Sequence, residues 1–136
     1  MPIPIHHDSD ILVVDDSGTT RSVVRKILSQ LGYKSIDEAS SGAAALEKIS
    51  EKHFHLIISD WNMEEMSGDE LLERVRADKN YESLPFIMMT ADSTIDKVVK
   101  AKRARVSCFI RKPFSAAELE AKISQINADS RSIVRP

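Results

Sequence analysis

Cys108 is the only cysteine in 136 residues, so no internal disulfide can hold this chain together. It lies in a strand-like apolar run, where it is expected to serve as a small buried side chain, and a reducing cytoplasm suits such a composition. No apolar stretch approaches the roughly 18 residues of a membrane-spanning helix, which argues against membrane insertion. The opening MPIPIHHDSD has neither a basic segment nor an apolar core, which argues against secretion. Charge of one sign is also scarce: 19 basic against 21 acidic residues give a formal net charge of -2, which argues against a general nucleic-acid binder. No internal repeat is present. One cytoplasmic domain over residues 10–128 is expected, between a flexible start (1–9) that includes His6 and His7 and an arginine-containing tail (129–136).

What the chain does have is alternation. Short apolar runs (Ile11 to Val14, Tyr33 to Ala39, Phe54 to Ser59, FIMMT from Phe86, Ser107 to Arg111) read as strands. Between them lie amphipathic segments. Val23, Val24, Ile27, Leu28 and Leu31 mark one helical face, with Gly32 as its C-cap. Ser41 N-caps a second helix, a third runs from Asp69 to Ala77, a fourth starts near Ser93, and Pro113 and Ser115 open a fifth. Five strand–helix alternations predict an α/β fold: a doubly wound, five-stranded parallel sheet flanked by five helices.

Charges stand at the strand ends. Asp15 and Asp16 close the first run, Asp60 the third and Lys112 the fifth. In a parallel sheet the carboxyl ends of the strands share one edge, where ligands bind, so these four groups are expected to meet. Clustered carboxylates repel one another and call for a cation, and a hard site with one or two carboxylates suits Mg2+. Asp60 would be a third ligand and a nucleophile, Lys112 would hold an incoming anion, and the Thr90 hydroxyl would reach the same group. An acidic pair after a strand is also what a solvated loop or a helix N-cap looks like. The four placements together favour phosphate transfer.

The motifs VVDD, ISDWNM, MMTAD and IRKPF, at these separations, resemble the receiver domain of two-component response regulators, in its single-domain CheY-like form, over residues 10–127. The resemblance implies strand order 2-1-3-4-5. It implies that Asp60 accepts phosphate from a histidine kinase or phosphotransfer protein. It implies that Asp15, Asp16, Asp60 and the backbone carbonyl of Asn62 hold Mg2+, and that Lys112 contacts the phosphoryl group. Thr90 and Phe109 would form a switch that alters the surface of the fourth helix, fifth strand and fifth helix for an output partner such as a flagellar motor or chemotaxis component. It further implies that Asn62 and Asp92 influence loss of the phosphate and that the Lys112–Pro113 bond can be cis. A monomer without a DNA-binding domain is expected.

Departures from that pattern are visible. Glu64 stands where the family usually has proline, which should loosen its loop, and Phe109 replaces the commoner tyrosine. Lys97, Lys100, Lys102, Arg103, Arg105, Arg111 and Lys112 follow one another without an acidic residue, and Arg105 occupies a position usually held by glycine. A side chain in that left-handed geometry should cost about 1 kcal/mol, which suggests a use for it. The run reads as a solvated face, as a surface for an acidic helix, or as an anion site. For an anion site, Lys100, Lys102, Arg103, Arg105 and Arg111, with Arg131 and Arg135 from the tail, would hold a guanine dinucleotide such as cyclic di-GMP. The basic run is similar to that of an arginine-rich CheY-like subgroup. Two other classes are weighed: a flavodoxin-like carrier, whose flavin phosphate Asp15 and Asp16 would repel, and an aspartate-nucleophile phosphatase, for whose cap the chain has no room.

Overall fold

The strands are buried because their residues alternate between two helical layers. The computed structural model describes residues 4–91 and 94–134, and in them β1 (Asp10–Val14), β2 (Ser35–Ala39), β3 (Leu56–Asp60), β4 (Phe86–Thr90) and β5 (Cys108–Arg111) form one parallel sheet ordered β2-β1-β3-β4-β5. In β1, Ile11 and Val13 face one layer and Leu12 and Val14 the other, all fully buried. The first layer is α1 (Gly18–Gln30) and α5 (Ala116–Val134), with Val24, Leu28, Leu119 and Ile123 in its core. The second is α2 (Gly42–Glu51), α3 (Gly68–Ala77) and α4 (Ile95–Arg103), which supply Ala45, Ile49, Leu71, Leu72, Val75 and Ala101. Each face thus removes a dozen or so apolar side chains from water, the main stabilising contribution in a domain of this size.

Local signals set the helix ends. Ser17 accepts from the Thr20 N–H at 3.2 Å and Ser41 from the Ala44 N–H at 3.0 Å, each satisfying an orphan donor of a first turn. Gly32, with φ 98, ends α1 as expected. No helix among the described residues is long and apolar enough to cross a membrane.

Two ends differ from expectation. The segment before β1 is pinned: Ile5 is buried, its N–H donates to Asn127 Oδ1 at 2.8 Å, and its carbonyl accepts from Asn127 Nδ2 at 3.1 Å. The His7 ring packs edge-on to Tyr33 at 5.3 Å. An amide side chain on a helix can pair with an extended segment as a strand would, and no sequence pattern announces that pairing. At the other end α5 continues to Val134, so Arg131 lies on a helix and not in a tail. Asp92, Ser93 and Arg135 lie outside the described residues.

Candidate functional site

At the carboxyl edge of the sheet, Asp15, Asp16 and Asp60 each bring a carboxylate oxygen within 4.8 Å of the others. Asp15 follows β1, where its N–H bonds the Ala39 carbonyl of β2, and its Oδ1 accepts from the Ser17 N–H at 2.9 Å. Its Oδ2 is buried without a hydrogen-bond partner. Asp60 ends β3 and is 5% exposed, whereas Asp16 is exposed and accepts from the Glu64 N–H at 3.3 Å. Lys112 arrives from β5 with its N–H on the Thr90 carbonyl at 2.7 Å. Its ammonium lies 2.8 Å from Asp60 Oδ1 and 4.0 Å from Asp15 Oδ2. The Lys112–Pro113 peptide is cis. Thr90, at the end of β4, is fully buried.

This arrangement leaves charge uncompensated. Burial is the main reason the Asp15 carboxyl is raised above its ordinary value of 3.8; the Ser17 N–H opposes it, Asp60 adds to it, Lys112 opposes and Asp16 adds. A buried carboxylate oxygen with no donor, facing two more carboxylates, is a costly arrangement that a divalent cation would relieve. The donors are all hard oxygens, which fits Mg2+.

Close packing sets the loop after Asp60. A Cβ on Gly68 would collide with the Asp60 carbonyl and come within 2.9 Å of Trp61 Cα. The Gly68 N–H donates to the Trp61 carbonyl at 2.7 Å, closing the loop on itself. Trp61 is buried, packs edge-on to Phe109 with ring centroids 6.1 Å apart, and carries Lys97 Nζ 5.3 Å from its own centroid. Phe109 is half-buried beside it. Sequence reading had no handle on Gly68, although the SG before the third helix could have been read as a close approach.

The basic run does not gather as a clamp. Lys100 pairs with Asp69 Oδ2 at 2.7 Å, while Lys102, Arg103 and Arg111 are exposed. Arg105, at φ 64, donates from Nη2 to the Arg76 carbonyl at 3.2 Å, and buried Arg76 donates from Nε to the Arg105 carbonyl at 3.0 Å. Burial first, then the nearby Arg105 charge, depresses the Arg76 guanidinium to about 10, still protonated at neutral pH. The left-handed Arg105 therefore has a structural use: it closes the last turn of α3 onto the end of α4. That contact accounts for the residue without a ligand, and among the described residues the geometry gives the cyclic di-GMP reading no support.

Residues 11–124 match the model of the response regulator receiver domain. The chain is a response regulator receiver domain. It is similar to chemotaxis protein CheY-3 of Vibrio cholerae, with 37% identity over 122 residues, covering 90% of this chain and 94% of that protein. It is 39% identical over 116 residues to chemotaxis protein CheY of Pseudomonas aeruginosa, covering 85% of this chain and 94% of that one. The solved structure of Vibrio cholerae CheY4 superposes with a TM-score of 0.82 at 31% identity, over 88% of this chain and 98% of that chain. This is a receiver of the CheY type, a signalling domain rather than a conventional enzyme, and the expected strand order 2-1-3-4-5 is the one found.

Proposed function

We propose that this receiver accepts a phosphoryl group on Asp60 from a histidine kinase or phosphotransfer protein and passes its state to an output partner in a chemotaxis pathway. The observation that carries the reading is the buried, unpartnered Oδ2 of Asp15 beside Asp60, with Lys112 2.8 Å from the Asp60 carboxylate. Asp15, Asp16, Asp60 and the Asn62 backbone carbonyl would hold Mg2+, which when bound neutralises the repulsion between carboxylate and phosphate. An Asp60 oxygen forms the new bond to phosphorus as the bond to the donor breaks. Lys112 is close enough to move from the carboxylate to a phosphoryl oxygen, and its compact charge suits that exchange. Thr90 follows the new anion, and Phe109, already half-buried against Trp61, responds to the space left. The covalent anion biases a two-state equilibrium of the α4, β5 and α5 surface. The names of the curated relatives support the chemotaxis setting.

Acetyl phosphate and Mg2+ test the assignment directly. Mass spectrometry should find one added phosphoryl group on the wild type and none on Asp60→Asn. Equal labelling of that variant would refute the assignment.

A further inference from the structure

No proline fixes a φ angle between Trp61 and Ser67, and Glu65 sits at φ 67, a region that disfavours side chains. The loop that must present the Asn62 carbonyl is closed by the Gly68–Trp61 backbone bond, but no proline stiffens the residues in between. Yet its first residue, Trp61, and the α3 residue just past its end, Asp69, both touch one helix. At the start of the loop, Lys97 Nζ lies over the Trp61 ring at 5.3 Å, a cation–π distance. One turn further along α4, Lys100 Nζ lies 2.7 Å from Asp69 Oδ2, and the same carboxylate accepts the Ser67 hydroxyl.

The two partners of that ion pair are unequal. The Asp69 side chain is 9% exposed, whereas Lys100 is 59% exposed and could extend into water at little cost. Burial would raise the Asp69 carboxyl, but the hydrogen bonds from Lys100 and Ser67 outweigh it and hold the group below the ordinary range. A solvated basic face would not turn one ammonium onto an indole and the next onto a buried carboxylate. The pairing is specific to where the loop begins and ends.

We propose that Lys97 and Lys100 are positioning residues through which α4 braces the loop after Asp60, fixing the Asn62 carbonyl for the cation. The brace stands on the contacts alone; its functional half rests on the phosphoacceptor reading. Coupling is reciprocal, so a change in the loop on phosphorylation reaches α4 through these lysines as well as through Phe109.

Amide hydrogen exchange on the metal-free protein tests the brace without reference to phosphate. In Lys100→Met, whose replaced side chain is mostly solvent-exposed, the amides of Trp61, Met66 and Gly68 should exchange about five-fold faster or more, while those of β1 and β3 stay unchanged. Lys97→Met should speed the Trp61 amide most. The double variant Lys100→Met with Asp69→Asn should be no faster than the more severe single change, since both remove one interaction. Mg2+ titration followed by Trp61 fluorescence should be several-fold weaker in Lys100→Met. Wild-type exchange rates in the loop, or additive effects in the double variant, would overturn the proposal. Faster loop exchange together with a wild type that neither binds Mg2+ nor takes label would leave the brace standing and remove the phosphoacceptor reading.

Discussion

The two edges of the sheet use the same residue types to opposite ends. At the amino edge, Lys52 lies 3.2 Å from Asp10 and 3.4 Å from Asp37, and the Asp10 N–H donates to His55 Nδ1 at 3.0 Å. Two carboxylates share one ammonium, and because all three side chains are partly exposed, water solvates the charge left over. At the carboxyl edge, three carboxylates face one lysine, and Asp15 Oδ2 is buried with no donor. Composition alone does not separate an ion-pair network from a reactive centre. Burial of an oxygen left without a donor does, because such a group is costly and marks a place where a ligand or reaction can make use of it.

Substitutions can sharpen that contrast. The largest effect belongs to Asp60→Asn, which should remove all labelling by a phosphodonor, as set out above. Next is Gly68→Ala: the new methyl group meets the Asp60 backbone carbonyl, and the loop has to shift. A loss of about 1–3 kcal/mol in urea unfolding is expected, with a weaker Mg2+ titration. Unchanged stability would show that the loop has slack.

Asp15→Asn should separate function from stability. Its removal takes away a buried anion, so the metal-free protein should gain on the order of 1 kcal/mol at neutral pH while Mg2+ affinity falls at least ten-fold. The pH dependence has a defined sign. The Asp15 carboxyl is raised above 3.8, so the folded state binds this proton more tightly than the unfolded state does. The contribution of Asp15 to stability therefore falls as pH rises through the window above 3.8, and the advantage of Asp15→Asn opens over that window and vanishes below it. Thermal melts of both proteins across acid to neutral pH check this; a constant gap would contradict it.

The smallest effect is expected at the other edge. Lys52→Met removes an ammonium that is 43% exposed and flanked by carboxylates about 30% exposed, so the melting temperature should hardly move and phosphodonor labelling not at all. A large loss there would mean that both edges depend on their charges equally, and the contrast would fail.

Much of this contrast was legible in the residue order. Apolar runs of four to seven residues gave the strands, and the aspartates or lysine after three of them placed Asp15, Asp16, Asp60 and Lys112 at one edge, because parallel crossovers return every strand in the same direction. The pinning of Ile5 was not legible, since it depends on Asn127 more than a hundred positions away. Nor was the role of Arg105, whose partner Arg76 lies 29 positions earlier on α3. The basic run stayed open between a solvated face, a surface for an acidic helix and an anion site because sequence shows charge without direction; in the structure Lys100 and Arg105 bond residues of α3.

Residue order thus determined the periodicities of burial, the strand and helix types, and the identity of the groups at each strand end. Only the packed structure decided which charges were neutralised and which were left facing one another. The physical reason is range: periodicity is local, but the energy of a charge depends on every neighbour and on the water excluded around it.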